Sequence, residues 1–406
     1  MGVSIASSAY SDLLFRRPRP RTGRYRTDTR SPPSPHTLAR MNSRLAAALI
    51  ASALLCSCVS APPRAPEPRR VGAVPPGTVS VPERFVSEPS AHDELDSLAT
   101  WPAADGSTWL IASAKSTHRL AVYDADSGKR LREFGGKGEA LGQFKRPNGL
   151  AVFGDYLFVA ERDNHRVQVL RLPDFVPLGS FGEAQLRSPY GLWLNETAPG
   201  EIEAYVTDNF MYGAQFDRVP ALNELDQRVR RYRLRFDEDG RMGSEYLGAF
   251  GDTSDAAALR IVESIAGDAA GDRLLIADED LSRASTLREY TLAGRYTGRA
   301  VPPGSFSAQA EGVALWSCAR GAGYWVAVDQ LDPRTVFHVF ERDSLRPVGS
   351  FRGEGTAHTD GIALHAAATH AFPYGALYAV DDDRAVTAFD LGDVARALHL
   401  QSDCLD

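Results

Sequence analysis

Residues 142–170 constrain the fold of this chain most strongly, because they hold short apolar segments separated by turn residues. The stretch reads GQFKRPNGLAVFGDYLFVAERDNHRVQVL, and its apolar segments are 149–153, 156–160 and 167–170. Segments this short, rich in Val, Leu, Phe and Tyr and bounded by Gly, Asp and Asn, are typical of strands in an antiparallel meander. A fourth segment, 177–181, completes a predicted four-stranded sheet.

The same unit recurs along the chain, and we count six copies. Their first strands begin next to Asp96, Asn148, Tyr190, Glu263, Glu311 and Asp360. The sequence therefore predicts an all-β fold, a six-bladed β-propeller of four-stranded antiparallel blades. Residues 78–87 precede the first copy and have strand character, so we expect them to complete the last blade and remove an open edge. Residues 209–227 form an insertion in blade 3.

Glycine recurs at the start of the first strand, at Gly149, Gly191, Gly312 and Gly361, with Ser97 and Ser264 in the other two blades. A residue without a side chain fits a tight strand start where the backbone approaches the propeller axis.

The N-terminal residues do not have the composition of a folded domain. Residues 1–40 are rich in Arg, Pro, Ser and Thr and are interpreted as an upstream extension or a disordered segment. Residues 41–58 resemble a lipoprotein signal peptide, with Arg44 before an apolar run that is too short to span a membrane, and with Cys58 as the lipidated residue. Plain secretion is the alternative. Residues 59–78 are a Pro-rich tether, and 79–406 are the propeller.

This reading implies an exported bacterial lipoprotein, periplasmic or attached to the outer membrane through its lipid. Only Cys318 and Cys404 lie in the predicted domain, where a disulfide between them is possible.

The net charge is −7, and residues 1–40 carry eight Arg and two Asp, which leaves −13 on the remainder. So acidic a domain argues against nucleic acid as a partner and is compatible with binding of hard cations. We expect a monomer.

The meander topology predicts which residues meet. The residue before strand one and the loop after strand two lie on one face of each blade, around the central channel. That face carries mostly carboxylates, and the candidates for metal binding are Asp96, Glu263, Asp278, Glu279, Glu311, Asp360 and Asp382. Crowded carboxylates raise one another's pKa unless a cation neutralises them, and Ca²⁺ takes six to eight oxygen ligands. The sequence thus favours Ca²⁺ over solvated acidic loops.

Two cations, one amide and one phenol share this face. Lys115 and Arg162 follow second strands, whereas Asn148 and Tyr190 precede first strands. The cations can pair with neighbouring carboxylates or hold the oxygen atoms of a phosphate. Tyr190 can be a core aromatic or a residue of the site.

The segment Pro147–Val152, followed by 157–160 and 164–167, closely resembles an NHL-type propeller blade. Over 96–391, the order of motifs is also similar to that of the β-propeller phytases, six-bladed Ca²⁺-dependent phosphomonoesterases. The motifs that carry this resemblance are DSLATW at 96–101, AK at 114–115, Arg162, YG at 190–191, Glu263, ADED at 277–280, EGV at 311–313, TDGI at 359–362 and PYGALYA at 373–379.

The phytase resemblance implies that Ca²⁺ activates a water for attack on phosphorus. It implies catalytic and substrate-binding roles for Lys115, Arg162 and Tyr190. Asn148, from its place on the channel face, is a further candidate for contact with substrate. Ser97 and Gln309 replace acidic residues of the family, and the family's next Lys falls near Asp208 and Asn209. We therefore expect a small-molecule phosphoester, smaller and less charged than phytate. The alternatives are a non-catalytic NHL-like binding propeller at the membrane surface and another metal-dependent propeller hydrolase, such as a lactonase.

Overall fold

The computed structural model describes residues 70–237 and 240–405 of the chain. The predicted extension 1–40, the predicted signal peptide with Cys58 and most of the predicted tether lie outside these residues. The described chain consists mainly of short strands, which begin with β1 (Arg70–Val71), β2 (Val79–Ser80) and β3 (Phe85–Val86). None of its helices is both long enough and apolar enough to cross a membrane.

Six sheets follow one another along the chain, each an antiparallel meander. Blade 1 comprises β4 (Leu95–Pro102), β5 (Thr108–Ala114), β6 (Arg119–Asp124) and β7 (Arg130–Gly135). Blade 2 comprises β8 (Pro147–Phe153), β9 (Tyr156–Glu161), β10 (Arg166–Arg171) and β11 (Val176–Phe181). Blade 3 comprises β12 (Pro189–Ala198), β13 (Glu201–Asp208), β14 (Val229–Phe236) and β15 (Met242–Phe250).

Blade 4 comprises β16 (Ile265–Asp268), β17 (Arg273–Asp278), β18 (Thr286–Tyr290) and β19 (Tyr296–Ala300). Blade 5 comprises β20 (Ala310–Ser317), β21 (Gly323–Asp329), β23 (Val336–Glu341) and β24 (Pro347–Arg352), with the short β22 (Leu331–Asp332) between β21 and β23. Blade 6 comprises β25 (Ile362–His365), β26 (Ala376–Asp381) and β27 (Ala385–Asp390). The helix α1 (Leu391–Ala397) follows β27, and short 3₁₀ turns lie at Arg162–Asn164, Leu222–Gln227, Ala319–Gly321 and Ser402–Cys404.

The ring closes through the segment before blade 1, as the sequence predicted. β3 pairs antiparallel with β27 and becomes the fourth strand of blade 6. The predicted strand is interrupted at Pro82, and β2 instead lies parallel to β24 at the outer edge of blade 5. β1, within the predicted tether, pairs with β22. Both ends of the described part of the chain are thus tied into blades 5 and 6, and the six-bladed count is confirmed.

Six apolar clusters lie between neighbouring blades, and together they form the core. Successive strand residues point to opposite faces, so in β9 Leu157 and Val159 pack against blade 1, whereas Phe158 and Ala160 pack against blade 3. Equivalent clusters join the other neighbouring blades and complete the circle. This two-sided burial explains why the second strand of each repeat is a continuous apolar run.

The glycines at the strand starts allow neighbouring blades to come together at the axis. A Cβ on Gly149 would lie 2.1 Å from the carbonyl oxygen of Tyr190, and one on Gly191 would lie 2.2 Å from that of Glu263. The amide of Gly191 donates to the same Glu263 carbonyl at 2.9 Å. Blade 3 therefore fixes the backbone of Glu263, which precedes the first strand of blade 4, and the six strand starts line one central pocket.

A disulfide joins Cys318 to Cys404. It links the turn between β20 and β21 to the C-terminal 3₁₀ turn, beside the apolar cluster that blades 5 and 6 share. The pairing that the sequence left open is therefore present in the fold.

Candidate functional site

An acidic residue at the end of the second strand closes a loop in five of the six blades. In blade 3, the carboxylate of Asp208 accepts the backbone N–H groups of Arg187 and Ser188. Each of the others likewise accepts one or two backbone N–H groups of the loop before strand one, and these residues are Glu161, Asp278, Asp329 and Asp381. We call these five residues the clamp carboxylates. They hold each loop in place on the channel face.

Asp278, a predicted metal ligand, is one of the clamp carboxylates. Its Oδ1 accepts the backbone N–H groups of Arg260 at 3.2 Å and Ile261 at 3.1 Å. Burial raises the pKa of Asp278 above its usual value, against the effect of these hydrogen bonds. This carboxylate therefore binds the backbone of its own blade and is not in the group formed by Glu263, Glu279 and Glu311.

Lys115 lies at the centre of a buried charged network on the channel face. Its Nζ is 2.8 Å from Oδ1 of Asp96 and 3.0 Å from Oδ2 of Asp360. Burial lowers the pKa of Lys115, but the carboxylates of Asp360 and Asp96 outweigh burial and hold it well above its usual value. The hydroxyl of Tyr190 donates to Asp96 at 3.3 Å. Blades 1, 3 and 6 thus meet through predicted site residues.

The Tyr190 hydroxyl remains protonated at neutral pH. Burial, reinforced by the negative charges of Asp96 and Glu263, raises its pKa well above the usual value. Tyr190 is therefore close to both the Lys115 network and Glu263 of blade 4.

Arg146 is a cation of this face that the sequence prediction missed. Its guanidinium donates to both oxygens of Glu94, at 2.7 and 3.3 Å. Although burial raises the pKa of Glu94, the hydrogen bond and charge of Arg146 lower it to about 2. The only signal was that Arg146 precedes the first strand of blade 2 by one residue, which places it on the channel face.

Three buried glutamates from blades 4 and 5 converge beside this network. Glu263, Glu279 and Glu311 each direct one carboxylate oxygen into a group whose atoms all lie within 4.8 Å of one another. Each of the three residues is 7% exposed or less. Asn209, the first residue of the insertion, donates its Nδ2 to Oε1 of Glu263 at 2.9 Å and accepts the backbone N–H of Val262. We call Glu263, Glu279 and Glu311 the glutamate cluster.

A second group of ligand-type atoms comprises His358, Asp360 and Asp383. Burial, together with the charge of Asp360, raises the pKa of Asp383 to about 8. The predicted ligand Asp382 is in neither group; its carboxylate lies 3.8 Å from Arg384 at the surface. In the Asp381–Asp383 run, therefore, the first residue is a clamp carboxylate and the third faces Asp360.

Arg162 and Asn148 lie apart from these contacts. The Nε of Arg162 donates to Asp163 at 2.7 Å, and its side chain is 22% exposed. Asn148 is fully buried, and neither atom of its amide has a hydrogen-bond partner among the described residues. Their roles toward a substrate remain predictions.

Comparison with known protein families supports the NHL-like blade. The NHL repeat matches residues 144–170, which lie in blade 2 and the loop before it. No curated protein sequence matches the chain. Among solved structures, a Kuenenia stuttgartiensis hydrazine synthase is 15% identical and aligns over 82% of this chain and 84% of its own, with a TM-score of 0.45. A streptogramin B lyase is 12% identical and aligns over 75% of this chain and 97% of its own, with a TM-score of 0.42.

Proposed function

We propose that this chain is a Ca²⁺-dependent phosphomonoesterase whose active site lies on the channel face of the propeller. The observation that carries the proposal is the glutamate cluster. Three carboxylates this close and this well buried would repel one another strongly when ionised, and a divalent cation relieves that repulsion.

The donor set of the cluster suits calcium. All the ligand atoms are carboxylate oxygens, which Ca²⁺ prefers, and it completes its shell of six to eight oxygens with water or substrate. Glu263, Glu279 and Glu311 would hold the ion. When bound, the ion supplies a Lewis acid for a phosphoryl oxygen and lowers the pKa of a coordinated water.

The neighbouring residues suit the binding and orientation of a phosphoester. The Lys115 ammonium and the Tyr190 hydroxyl provide a charge and a hydrogen-bond donor beside the cluster, suited to the charge that develops on phosphoryl oxygens. Lys115 already faces Asp96 and Asp360, at 2.8 and 3.0 Å. Because its charge is largely balanced, we propose small monoesters as substrates in preference to phytate.

A non-catalytic NHL-like binding propeller is the second candidate. Two observations favour it, namely the NHL match over residues 144–170 and the pairing of Arg162 with Asp163. In this alternative the glutamate cluster still binds a cation, but the ion has a structural role. A metal-dependent lactonase would also use such a cluster, so lactones belong in the same test.

The test is hydrolysis by the purified full chain, with calcium or with a chelator, of a panel of phosphomonoesters and lactones. We expect Ca²⁺-stimulated phosphate release that Glu279→Gln abolishes. Glu245→Gln is the matched control, because Glu245 is an exposed glutamate on the outer strand of blade 3. Release of no phosphate from any ester would refute the phosphomonoesterase, and hydrolysis of lactones alone would favour the other hydrolase.

We also propose that the protein is an exported lipoprotein modified at Cys58. The disulfide between Cys318 and Cys404 supports export, because such bonds persist in oxidising compartments. Labelling with palmitate should be lost in Cys58→Ala. Labelling that persists in this variant would refute the modification.

A further inference from the structure

We infer that Arg187 contacts a second anionic group of the substrate, distal to the phosphoryl group at the glutamate cluster. This inference rests on the proposed function. It assigns a specificity-determining role to a residue that the sequence prediction did not single out.

Arg187 lies at the edge of the proposed active site. It is in the loop between β11 and β12, and its backbone N–H donates to the clamp carboxylate Asp208. Asn209 follows Asp208 and donates to Glu263 of the glutamate cluster. The adjacent residues Asp208 and Asn209 therefore connect the backbone of Arg187 to the proposed calcium site.

Aromatic rings of the insertion orient the guanidinium of Arg187. Its central carbon lies 3.9 Å from the ring centre of Phe210 and 5.3 Å from that of Tyr212. A guanidinium over an aromatic face is attracted by the ring and keeps its N–H groups available at the edge. Arg187 is exposed, so those groups are accessible to a ligand.

The insertion is itself held rigidly at this point. Arg228 is fully buried, and its guanidinium donates to the backbone carbonyls of Asp208, Phe210, Leu259 and Arg260. It also lies 4.7 Å from the ring of Phe210. Phe210 is only 4% exposed, and therefore offers Arg187 a fixed surface.

The charge of Arg187 is less compensated than the charges of Lys115, Arg146 and Arg162. Lys115, Arg146 and Arg162 each form an ion pair with at least one carboxylate. Within residues 70–237 and 240–405, no carboxylate forms an ion pair with Arg187. A planar guanidinium with free N–H groups binds phosphate or carboxylate oxygens in a forked geometry. This chemistry selects esters that carry a further phosphate or carboxylate.

The test compares the binding of pyrophosphate and of inorganic phosphate to the full chain in calcium, by titration calorimetry. We expect Arg187→Ala to weaken pyrophosphate binding about tenfold, as loss of one charged hydrogen bond does. Phosphate binding should change less than twofold. Arg187→Lys keeps the charge but loses the fork, so it should lie between the wild type and Arg187→Ala.

Arg132→Ala is the matched control, because Arg132 is also exposed and lies 4.8 Å from the rings of both Trp109 and Phe175, on the outer strand of blade 1. It should leave both affinities unchanged, and melting curves check that every variant is folded. The inference is overturned if the wild type does not bind pyrophosphate, if Arg187→Ala binds it normally, or if this variant loses phosphate and pyrophosphate equally. Ester hydrolysis is measured separately, and its absence would refute the proposed function. The binding titrations alone decide whether Arg187 contacts the second anionic group.

Discussion

At the residue scale, the carboxylates of the channel face differ in what already binds them. Clamp carboxylates such as Asp278 accept backbone N–H groups, whereas Glu263, Glu279 and Glu311 converge on one another. Asn209 holds one member of the glutamate cluster through its amide, at 2.9 Å. This contact resembles the outer-shell hydrogen bonds that orient metal ligands in other proteins.

Asn209→Ala should therefore weaken calcium binding by roughly tenfold, because Glu263 loses the donor that fixes its orientation. Titration calorimetry measures the effect. Asn195→Ala, on the first strand of the same blade and with its side chain partly exposed, is the control and should bind calcium normally. An unchanged affinity in Asn209→Ala would show that Glu263 needs no such support.

Arg162 allows catalysis to be separated from stability. If it contacts the phosphoryl group, Arg162→Ala should reduce phosphate release by about 10²–10³, as loss of a transition-state donor does. Its pair with Asp163 is partly exposed, so the free energy of unfolding should fall by less than about 1 kcal/mol. Rate assays and urea unfolding measure the two effects, and full activity in the variant would place the phosphoryl site elsewhere.

At the scale of the element, five of the six meanders are closed by a clamp carboxylate. Asp278→Ala leaves the backbone N–H groups of Arg260 and Ile261 without their acceptor inside the fold. At about 1–3 kcal/mol for a buried unsatisfied donor, the free energy of unfolding should fall by roughly 2–4 kcal/mol. Urea unfolding measures this, with the exposed Asp174→Ala as the surface control. A change below about 1 kcal/mol in Asp278→Ala would contradict the clamp.

Much of the blade structure could be predicted from the sequence, because the repeat fixes which residues begin and end each strand. That periodicity brought Asp96, Lys115 and Tyr190 together correctly, although they are far apart in the chain. It could not separate Asp382 from Asp383, since the backbone turn decides which carboxylate faces inward. Both residues have positive φ, at 48° and 59°, a conformation that no pattern of acidic residues indicates.

The insertion shows the same limit. The sequence located residues 209–227 but gave no signal that Asn209 would contact Glu263, because that contact joins blade 3 to blade 4 across 54 residues. Arg187 and Arg146 were missed for a related reason. Each lies in a loop whose side-chain directions depend on neighbouring blades.

At the scale of the whole molecule, ion pairs between blades add to the apolar clusters. Asp268, at the end of β16, is 1% exposed and accepts two hydrogen bonds from Arg342 of blade 5, at 2.5 and 2.9 Å, and one from Arg273. Burial alone would raise the pKa of Asp268, but the hydrogen bonds and charge of Arg342 lower it below its usual 3.8. The carboxylate therefore joins blades 4 and 5 in its ionised form.

Asp268→Asn should reduce the free energy of unfolding by roughly 3 kcal/mol at pH 7, because the buried guanidinium of Arg342 loses the carboxylate it binds and that of Arg273 keeps only Asp343. A lowered folded pKa contributes stability that is complete above the unfolded pKa of 3.8 and is lost as the pH falls through the folded pKa. The difference between the wild type and the variant should accordingly shrink below pH 3.8. Urea unfolding from pH 7 to pH 3 tests this, with the exposed Asp174→Asn as control, and a difference independent of pH would contradict the assignment.

The most direct test of the calcium site is the melting temperature of the full chain with calcium and with a chelator. Binding to the folded state alone adds about 2.7 kcal/mol at a hundredfold excess over Kd, so calcium should raise the melting temperature by several degrees. Glu311→Gln removes a charge from the glutamate cluster and should abolish most of this rise, whereas the exposed Glu245→Gln should retain it. A wild-type melting temperature that is the same in calcium and in chelator would contradict the proposed site.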